Sequence, residues 1–321
     1  MMKGKYSVRV ENRNVRFDFE IERNITIIRG NSGTGKTTLV DLVMDYQLQG
    51  SASGVSLICS RECVTMSSLG NRWQQFLDST HGSIVFIDEG EQYVRTKEFA
   101  SYIKNTDNYY VISTRDNLYD IPYSVDSIYE LKTSGKYGKL KKVYNRLKRV
   151  YTVHHRNAFS LYSDVVVEDS NSGYQFFQRV CEWNKANCRT AGGKSKIFTL
   201  IKKLDSKAAL VVADGAAFGP EMTNVYEFCK LKEITLFLPE SFEWMILRSG
   251  IIKGSELKDI LERPYDFIES KKFFSWETFF TKKLIDMTKE REYAYSKKKL
   301  PEYYMSERSV KRIMKDFFED F

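Results

Sequence analysis

The residues with the most evident chemical potential lie near the start of the chain. They are three glycines among small polar residues, followed by a lysine and two threonines: Gly30, Asn31, Ser32, Gly33, Thr34, Gly35, Lys36, Thr37 and Thr38. Glycines let a backbone approach phosphate groups closely, and the N–H groups of such a turn and of a following helix face the anion. Lys36 would reach the β- and γ-phosphates, and the Thr37 hydroxyl would bind Mg²⁺. This segment predicts a site for ATP and Mg²⁺ in which Lys36 is catalytic.

Two acidic residues, Asp88 and Glu89, follow the continuous apolar run 84–87. Such a run is typical of a strand that is buried on both faces of a parallel sheet. At the end of this strand, Asp88 would hold Mg²⁺, directly or through water, and Glu89 would orient or deprotonate the attacking water. We therefore predict Asp88 as a metal ligand and Glu89 as a catalytic residue. The structural alternative is that Asp88 only caps a helix that begins near Gln92.

Polar residues also end the next apolar run, at Ser113, Thr114 and Arg115. Doubly wound sheets place their ligands at the carboxyl ends of the strands. One of these three side chains could therefore sense the γ-phosphate of a bound nucleotide. The alternative is that they are turn residues in a surface loop.

In the second half of the chain, Glu168 and Asp214 each follow an apolar run. Carboxylates that converge repel one another, so such a cluster is stable mainly when a hard cation neutralises it. Glu168 and Asp214 are therefore candidates for a second metal site. Glu240 ends a later apolar run and could converge with them at the same edge of the sheet. The alternative is that these acids cap the helices that follow them.

A basic patch spans residues 132–156, where nine lysines and arginines occur without any acidic residue. Tyrosines are interleaved with these charges, as is typical of nucleic-acid-binding segments. The predicted nucleic-acid contacts are Lys139, Lys141, Lys142, Arg146, Lys148 and Arg149. The alternative is a solvated hairpin whose lysines protect an edge strand from aggregation.

These side chains need strands and helices to bring them together. In the first half, apolar patterns predict strands at 6–10, 15–21, 25–28, 55–59, 84–87, 109–113 and 127–131, with a hairpin partner within 140–147. Helices are predicted after residue 37 and near 72–77. In the second half, strands are predicted at 163–167, 208–213 and 234–240, with helices near 173–184 and 197–204. Strands that alternate with helices indicate parallel sheets, so we predict an α/β fold with two sheet domains.

The length of 321 residues suits about two ordinary domains. We predict a first domain at 1–150, a second at 151–270 and a helical C-terminal extension at 271–321. Within this extension, helical spacing begins at Phe273, and a last amphipathic helix is predicted at 310–321.

The composition argues against a disordered or membrane-spanning protein. Hydrophobic residues make up 42% of the chain and aromatic residues 14%, enough for packed cores. No apolar run approaches the roughly 18 residues of a membrane span, and residues 1–10 lack the apolar centre of a signal peptide. The five cysteines are scattered without zinc-ligand spacing, which predicts free thiols and a cytoplasmic location.

Residues 30–37 resemble a Walker A motif, and residues 84–89 resemble a Walker B motif. The chain is thus similar to P-loop NTPases, and residues 17–21 resemble the leading strand of ABC, recombination and SMC ATPases. No Leu-Ser-Gly-Gly type signature lies between Lys36 and Asp88. The resemblance therefore implies an ABC/SMC-like protein reduced to a minimal AAA-type ATPase core.

The second half resembles a degenerate TOPRIM domain, as found in topoisomerases, primases and overcoming-lysogenisation-defect nucleases. In that family one strand ends in Glu, matched by Glu168, and a later strand ends in Asp-x-Asp, whose first acid is matched by Asp214. The Gly-Gly-Lys run at 192–194 resembles the middle of the nuclease-associated variety. Asp169 stands where the family has Gly, and Ala216 stands where the second Asp is expected. The resemblance therefore implies a substitute acid, for which Asp169, Glu221 and Glu240 are the candidates. The resemblance implies metal ligands at Glu168 and Asp214.

Together, these resemblances imply an ATP-binding NTPase whose Mg²⁺-dependent hydrolysis controls a TOPRIM-like effector, as in defence against phages or mobile DNA. Two alternatives remain open: a metal-dependent DNA or RNA nuclease with a regulatory ATPase, and a nucleotide-switched binding module without turnover. A P-loop kinase is less favoured, because no lid with paired arginines is evident. The expected partners are ATP, nucleic acid at the basic patch, and a second copy of the chain or another protein. No membrane contact is expected.

Overall fold

The computed structural model of the chain describes residues 2–134, 142–153, 157–205 and 208–321. Two compact units are present. The first comprises Met1–Tyr151 together with Arg263–Phe274, and the second comprises Thr152–Glu262 together with Ser275–Phe321. Two of the predicted nucleic-acid contacts, Lys139 and Lys141, lie outside the described residues.

The first unit is built on a nine-stranded sheet with the strand order β4-β1-β2-β9-β8-β3-β7-β6-β5. Its strands are β1 (Tyr6–Glu11), β2 (Val15–Ile21), β3 (Ile25–Arg29), β4 (Ser56–Ile58), β5 (Cys63–Thr65), β6 (Ile84–Ile87), β7 (Tyr109–Ser113), β8 (Ile128–Ser134) and β9 (Val143–Arg149). Its helices are α1 (Lys36–Gln49), α2 (Trp73–Ser79) and α3 (Lys97–Ile103).

The sheet is mixed, whereas the sequence predicted a parallel sheet for this domain. One half of the sheet is parallel and consists of the adjacent strands β8, β3, β7, β6 and β5. Strand β1 pairs in antiparallel fashion with β2 and β4, and β9 does so with β8. The connection between β1 and β2 is too short for the crossover that a parallel pair needs, so these two strands form a hairpin.

The core of the first unit follows from the apolar patterns of its elements. Strand β2 alternates, so that Phe17, Phe19 and Ile21 are buried on one face while the residues between them are more exposed. Leu39 and Val43 of α1 belong to the same buried cluster. Strands β6 and β7 are buried along their whole lengths, as expected for the interior of a parallel sheet.

The second unit contains a four-stranded, fully parallel sheet with the order β11-β10-β12-β13. Its strands are β10 (Asp164–Val167), β11 (Asn187–Thr190), β12 (Ala209–Val212) and β13 (Thr235–Phe237). Its helices are α4 (Ser172–Asn184), α5 (Lys194–Ile201), α6 (Met222–Lys232), α7 (Phe242–Arg248), α8 (Leu257–Glu262), α9 (Trp276–Thr288), α10 (Glu302–Met305) and α11 (Glu307–Met314). The predicted α/β class of both sheet domains is therefore confirmed.

The C-terminal segment differs from its prediction in two ways. Helix α9 begins at Trp276, so Phe273 precedes the helix rather than starting it. Helix α11 begins at Glu307, because the Ser306 hydroxyl accepts a hydrogen bond from the backbone N–H of Ser309, and it ends at Met314. Beyond this helix, Phe318 packs edge-on against Phe159 and Phe237 within the second unit.

Candidate functional site

The glycine-rich loop (residues 30–37) joins the end of β3 to the start of α1. Gly33 has a φ of +77°, and Gly35 has a φ of +94° at the N-cap of α1. Side chains with a Cβ rarely adopt these angles, so the backbone geometry itself requires glycine at both positions. Because α1 starts immediately afterwards, its free N–H groups lie next to the loop and make the loop suited to an anion.

Lys36 is folded back into the glycine-rich loop, and only 4% of its side-chain surface is exposed. Its Nζ donates hydrogen bonds to the carbonyl oxygens of Gly30, at 2.6 Å, and Asn31, at 3.0 Å. The same Nζ lies 3.6 Å from a carboxylate oxygen of Glu89. A buried ammonium group is therefore held at the centre of the loop by polar partners, as a buried charge requires.

The end of β6 brings Asp88 to the first turn of α1. The Thr37 Oγ1 lies 3.5 Å from Asp88 Oδ1. Adjacent ligands of an octahedral Mg²⁺ lie about 2.9 Å apart, because each Mg–O bond is about 2.0–2.1 Å long. At 3.5 Å the pair is wider than this, so Asp88 would reach a Mg²⁺ on Thr37 through a water molecule or after a small approach. The short helix at Gln92–Arg95 follows Glu91 without a side-chain cap, so Asp88 does not have the capping role that was its alternative.

The end of β7 supplies Arg115, one of the three candidate sensors. Its Nε lies 2.6 Å from Glu89 Oε1, and its Nη2 donates to Ser32 Oγ at 2.6 Å. Ser113 and Thr114 are instead buried, with 1% and 3% of their surface exposed. Among the three candidates, Arg115 is thus the one that contacts the glycine-rich loop. Both carboxylate oxygens of Glu89 face cations, since the second one faces Lys36.

The sheet order explains how these residues meet. Strand β7 lies between β3 and β6, and the three strands are parallel. Their carboxyl ends therefore lie at one edge of the sheet, where doubly wound folds bind ligands. A further acid, Asp41 on α1, has its pKa raised by burial and by the nearby charges of Asp88 and Asp45.

The second predicted site gathers a different set of residues. Glu168 follows β10, and its Oε2 accepts a hydrogen bond from the backbone N–H of Asp214 at 3.1 Å. Asp214 Oδ1 in turn accepts one from the backbone N–H of Phe242 at 3.2 Å. Burial raises the pKa of Glu168 to about 7. Burial, with the neighbouring acids, raises the pKa of Asp214 well above its usual range.

Two further acids and a lysine complete this carboxylate cluster (Glu168, Asp214, Glu243 and Glu277). Lys297 Nζ lies 2.7 Å from Glu277 and 3.9 Å from Glu243. The acids around Lys297 raise the pKa of this lysine against the opposing effect of its burial. The cluster borders a cavity of about 20 Å³, which is room for about one water molecule.

The carboxylate cluster does not have the composition that the sequence predicted. Asp169 borders the cavity, but its carboxylate accepts hydrogen bonds from the backbone N–H groups of Asn171 and Gly173, and so it anchors the start of α4. The residues that line the cavity do not include Glu221 or Glu240. Across the described part of the chain, no three His, Cys, Asp or Glu side chains are grouped closely enough to hold a metal ion by themselves.

No family model matches this chain, and no curated protein matches its sequence.

The basic patch is divided between paired and unpaired charges. Lys142 lies 2.5 Å from Glu11, and Arg149 lies 3.4 Å from Asp126. Arg146 and Lys148 are exposed on β9 and form no ion pair with the residues that the structure describes. Among the predicted nucleic-acid contacts that the structure describes, Arg146 and Lys148 are therefore the two whose charges are not paired with an acid.

Sequence reasoning missed Glu243, Glu277 and Lys297, which come from α7, α9 and the segment after α9. No local pattern marks them, because they are far apart in the chain and only packing brings them together. All five cysteines lie in the described residues and carry free thiols. Among the described residues, no helix is both long enough and apolar enough to span a bilayer.

Proposed function

We propose that the first unit binds ATP with Mg²⁺ and hydrolyses it. The observation that carries this proposal is the convergence of three parallel strand ends on the glycine-rich loop. It places Lys36, Thr37, Asp88, Glu89 and Arg115 within contact of one another or of the loop. An ammonium group, a guanidinium group and the N-terminus of a 14-residue helix all favour an anion there.

Phosphate binding would exchange the present partners of Lys36 for phosphate oxygens. Its ammonium now donates to the carbonyls of Gly30 and Asn31, so it already lies inside the loop and needs little movement. Thr37 and Asp88 would hold Mg²⁺, which would supply neutralisation of the phosphate charge. Transition-state charge on a transferring phosphoryl group is stabilised in this way without any change in the protein's own protonation.

Glu89 would accept a proton from the attacking water once an oxygen of its carboxylate is free. At present Arg115 occupies one oxygen, and Lys36 faces the other. The Arg115 side chain is 52% exposed and already bonded to Ser32, so a γ-phosphate would be within its reach. ATP would then draw Arg115 from Glu89 and leave the carboxylate available as a base.

The second unit is, in this proposal, the effector that nucleotide turnover controls. The nuclease alternative receives little support from the carboxylate cluster. Backbone N–H groups already bind an oxygen of Glu168 and one of Asp214. Lys297 supplies a positive charge beside Glu277 and Glu243, so these contacts fit a structural role better. The position of Glu89 beside the glycine-rich loop favours an ATPase over a binding module that does not hydrolyse its nucleotide.

The test uses the full chain, with nucleotide binding and phosphate release measured separately in the presence of Mg²⁺. Lys36→Ala should lose ATP binding, because the phosphates lose their central cation. Glu89→Gln should bind ATP but release phosphate about 10²–10⁴ times more slowly, as expected for loss of a general base. The matched control is Lys97→Ala, which removes an exposed lysine of α3 in the same unit.

The outcomes separate the alternatives. A Lys36→Ala protein that binds and hydrolyses ATP like the wild type contradicts the proposal. Binding of ATP by the wild type without phosphate release indicates the switched binding module. Cleavage of plasmid DNA that requires Mg²⁺ or Mn²⁺ and is lost in Asp214→Asn indicates the nuclease.

A further inference from the structure

Strands β1, β2, β9 and β8 are neighbours, and one side of this part of the sheet faces solvent. Side chains alternate between the two faces of a strand, so residues two apart share a face. Cross-strand register places Tyr144 beside Arg16 and Ser134, Arg146 beside Lys132, and Lys148 beside Glu130. We call the solvent side of these four strands the open sheet face.

The opposite side of the same strands belongs to the core. Phe17 and Phe19 of β2, Asn145 of β9 and Leu131 of β8 are all buried. On β9 the residues of the open sheet face, Tyr144, Arg146 and Lys148, are exposed. The alternation therefore separates a packed side from a charged side, as in a sheet that is covered on one face only.

The acids of the open sheet face are already neutralised. Their ion pairs are Asp18 with Arg9 and Arg16, at 3.0 and 2.8 Å, Glu11 with Lys142, at 2.5 Å, Glu20 with Lys5, at 2.6 Å, and Glu130 with Lys132, at 3.0 Å. In contrast, Arg146 and Lys148 have no acidic partner within the described part of the chain. The face therefore carries a positive surplus, and this surplus is centred on β9.

Tyr144 adds an aromatic surface to this charge. It is 42% exposed and lies two residues before Arg146, on the same strand and the same face. Aromatic side chains stack on unpaired bases, and adjacent basic groups bind the phosphates that link those bases.

We propose that the open sheet face binds single-stranded nucleic acid. Arg146 and Lys148 bind backbone phosphates, and the Tyr144 ring stacks on a base. A face of four strands is too wide to enter the grooves of a duplex, which accept a helix or a two-stranded ribbon. A single strand can unstack its bases and lie across the strands, so it matches both the charge and the exposed ring. This binding is independent of the proposed ATP site.

The test measures fluorescence anisotropy of a labelled 30-nucleotide oligo-dT with the full chain and no nucleotide. Arg146→Glu/Lys148→Glu should weaken binding at least tenfold. For this double variant, the slope of log affinity against log salt concentration should be shallower by about 1.4, since each of the two lost phosphate contacts contributes about 0.7 to the slope. The control, Lys97→Glu/Lys104→Glu, makes the same change in net charge on exposed residues of α3 and its C-cap, and should bind like the wild type.

The stacking contact has its own pair of variants. Tyr144→Ala should weaken binding about tenfold, as expected for loss of one stacked base, while Tyr144→Phe should stay near the wild type. If charge reversal prevents folding, Arg146→Gln/Lys148→Gln tests the same contacts without adding acids.

Several results would overturn the proposal. These are no binding of oligo-dT by the wild type, an equal loss in the α3 control, or unchanged binding after substitution at 146 and 148. Tighter binding to a 30-base-pair duplex, or to vesicles containing phosphatidylserine, would also reject single-stranded nucleic acid as the ligand. Because nucleotide binding is assayed separately, failure here leaves the proposed ATPase activity unaffected.

Discussion

The carboxyl group of Glu168 should make the stability of the second unit depend on pH. Burial raises its pKa, and the charges of Glu277 and Asp169 act in the same direction. The hydrogen bond from the Asp214 N–H and the charge of Lys194 oppose this rise without reversing it. We expect Glu168→Gln to remove this pH dependence, because an amide cannot ionise but keeps an oxygen that can accept the Asp214 N–H.

The magnitude follows from the difference in pKa between the folded and unfolded states. The pKa of Glu168 rises from an ordinary value of 4.5 to about 7 on folding. One pKa unit corresponds to about 1.4 kcal/mol, so the carboxyl group contributes about 3 kcal/mol. Since the folded pKa is the higher one, this contribution is complete below about pH 4.5 and is lost as the pH rises through about 7.

The assay is urea denaturation of wild type and Glu168→Gln at pH 5, 7 and 8.5, followed by tryptophan fluorescence. Trp183, Trp244 and Trp276 all belong to the second unit and report on its unfolding. Between pH 5 and 8.5 the difference in free energy of unfolding between variant and wild type should change by about 2.5 kcal/mol in favour of the variant. Acids distant from Glu168 titrate alike in both proteins, so their contributions cancel in this difference. Asp214 is the exception, because the Glu168 charge is one of the causes that raise its pKa.

The matched control is Glu290→Gln, which changes an exposed glutamate of the same unit. Its stability should run parallel to that of the wild type across the pH range. If Glu168→Gln also runs parallel to the wild type, or is the less stable protein at pH 8.5, the reasoning from burial is refuted.

Two further predictions concern the first unit. Arg115→Ala should lower the preference for ATP over ADP about tenfold, as expected for loss of a charge-assisted hydrogen bond to the γ-phosphate. Competition titrations with ATP and ADP test this prediction, and an equal loss of affinity for ADP contradicts it. Thr96→Ala should destabilise the unit by about 1 kcal/mol, because Thr96 Oγ1 accepts the Phe99 N–H at the N-cap of α3. Urea denaturation measures this cost, while nucleotide affinity should stay unchanged.

The strands that could be predicted are those with a strong local pattern. The continuous apolar run 84–87 corresponds to β6, because a strand buried on both faces has apolar residues throughout. The alternating segment 15–21 corresponds to β2, because a strand buried on one face has apolar residues at every second position. Strands β5 and β11 were missed. Each has only three or four residues, and each forms at a sheet edge where a neighbouring strand supplies the hydrogen bonds.

At the candidate site, the sequence by itself determined the glycine-rich loop and the acids 88 and 89, because their chemistry depends on neighbours within one short segment. Only the tertiary structure distinguished Arg115 from Ser113 and Thr114, since the three differ in burial rather than in sequence position.

The second unit depended still more on its packing. Its sequence identified Glu168 and Asp214 as acids at strand ends, which is compatible with either metal binding or capping. Packing half-buries both residues, bonds each carboxyl group to a backbone N–H and raises their pKa values. It also brought in Lys297 from more than eighty residues further along the chain. Burial and long-range proximity are properties of the folded chain, and no local pattern of residues encodes them.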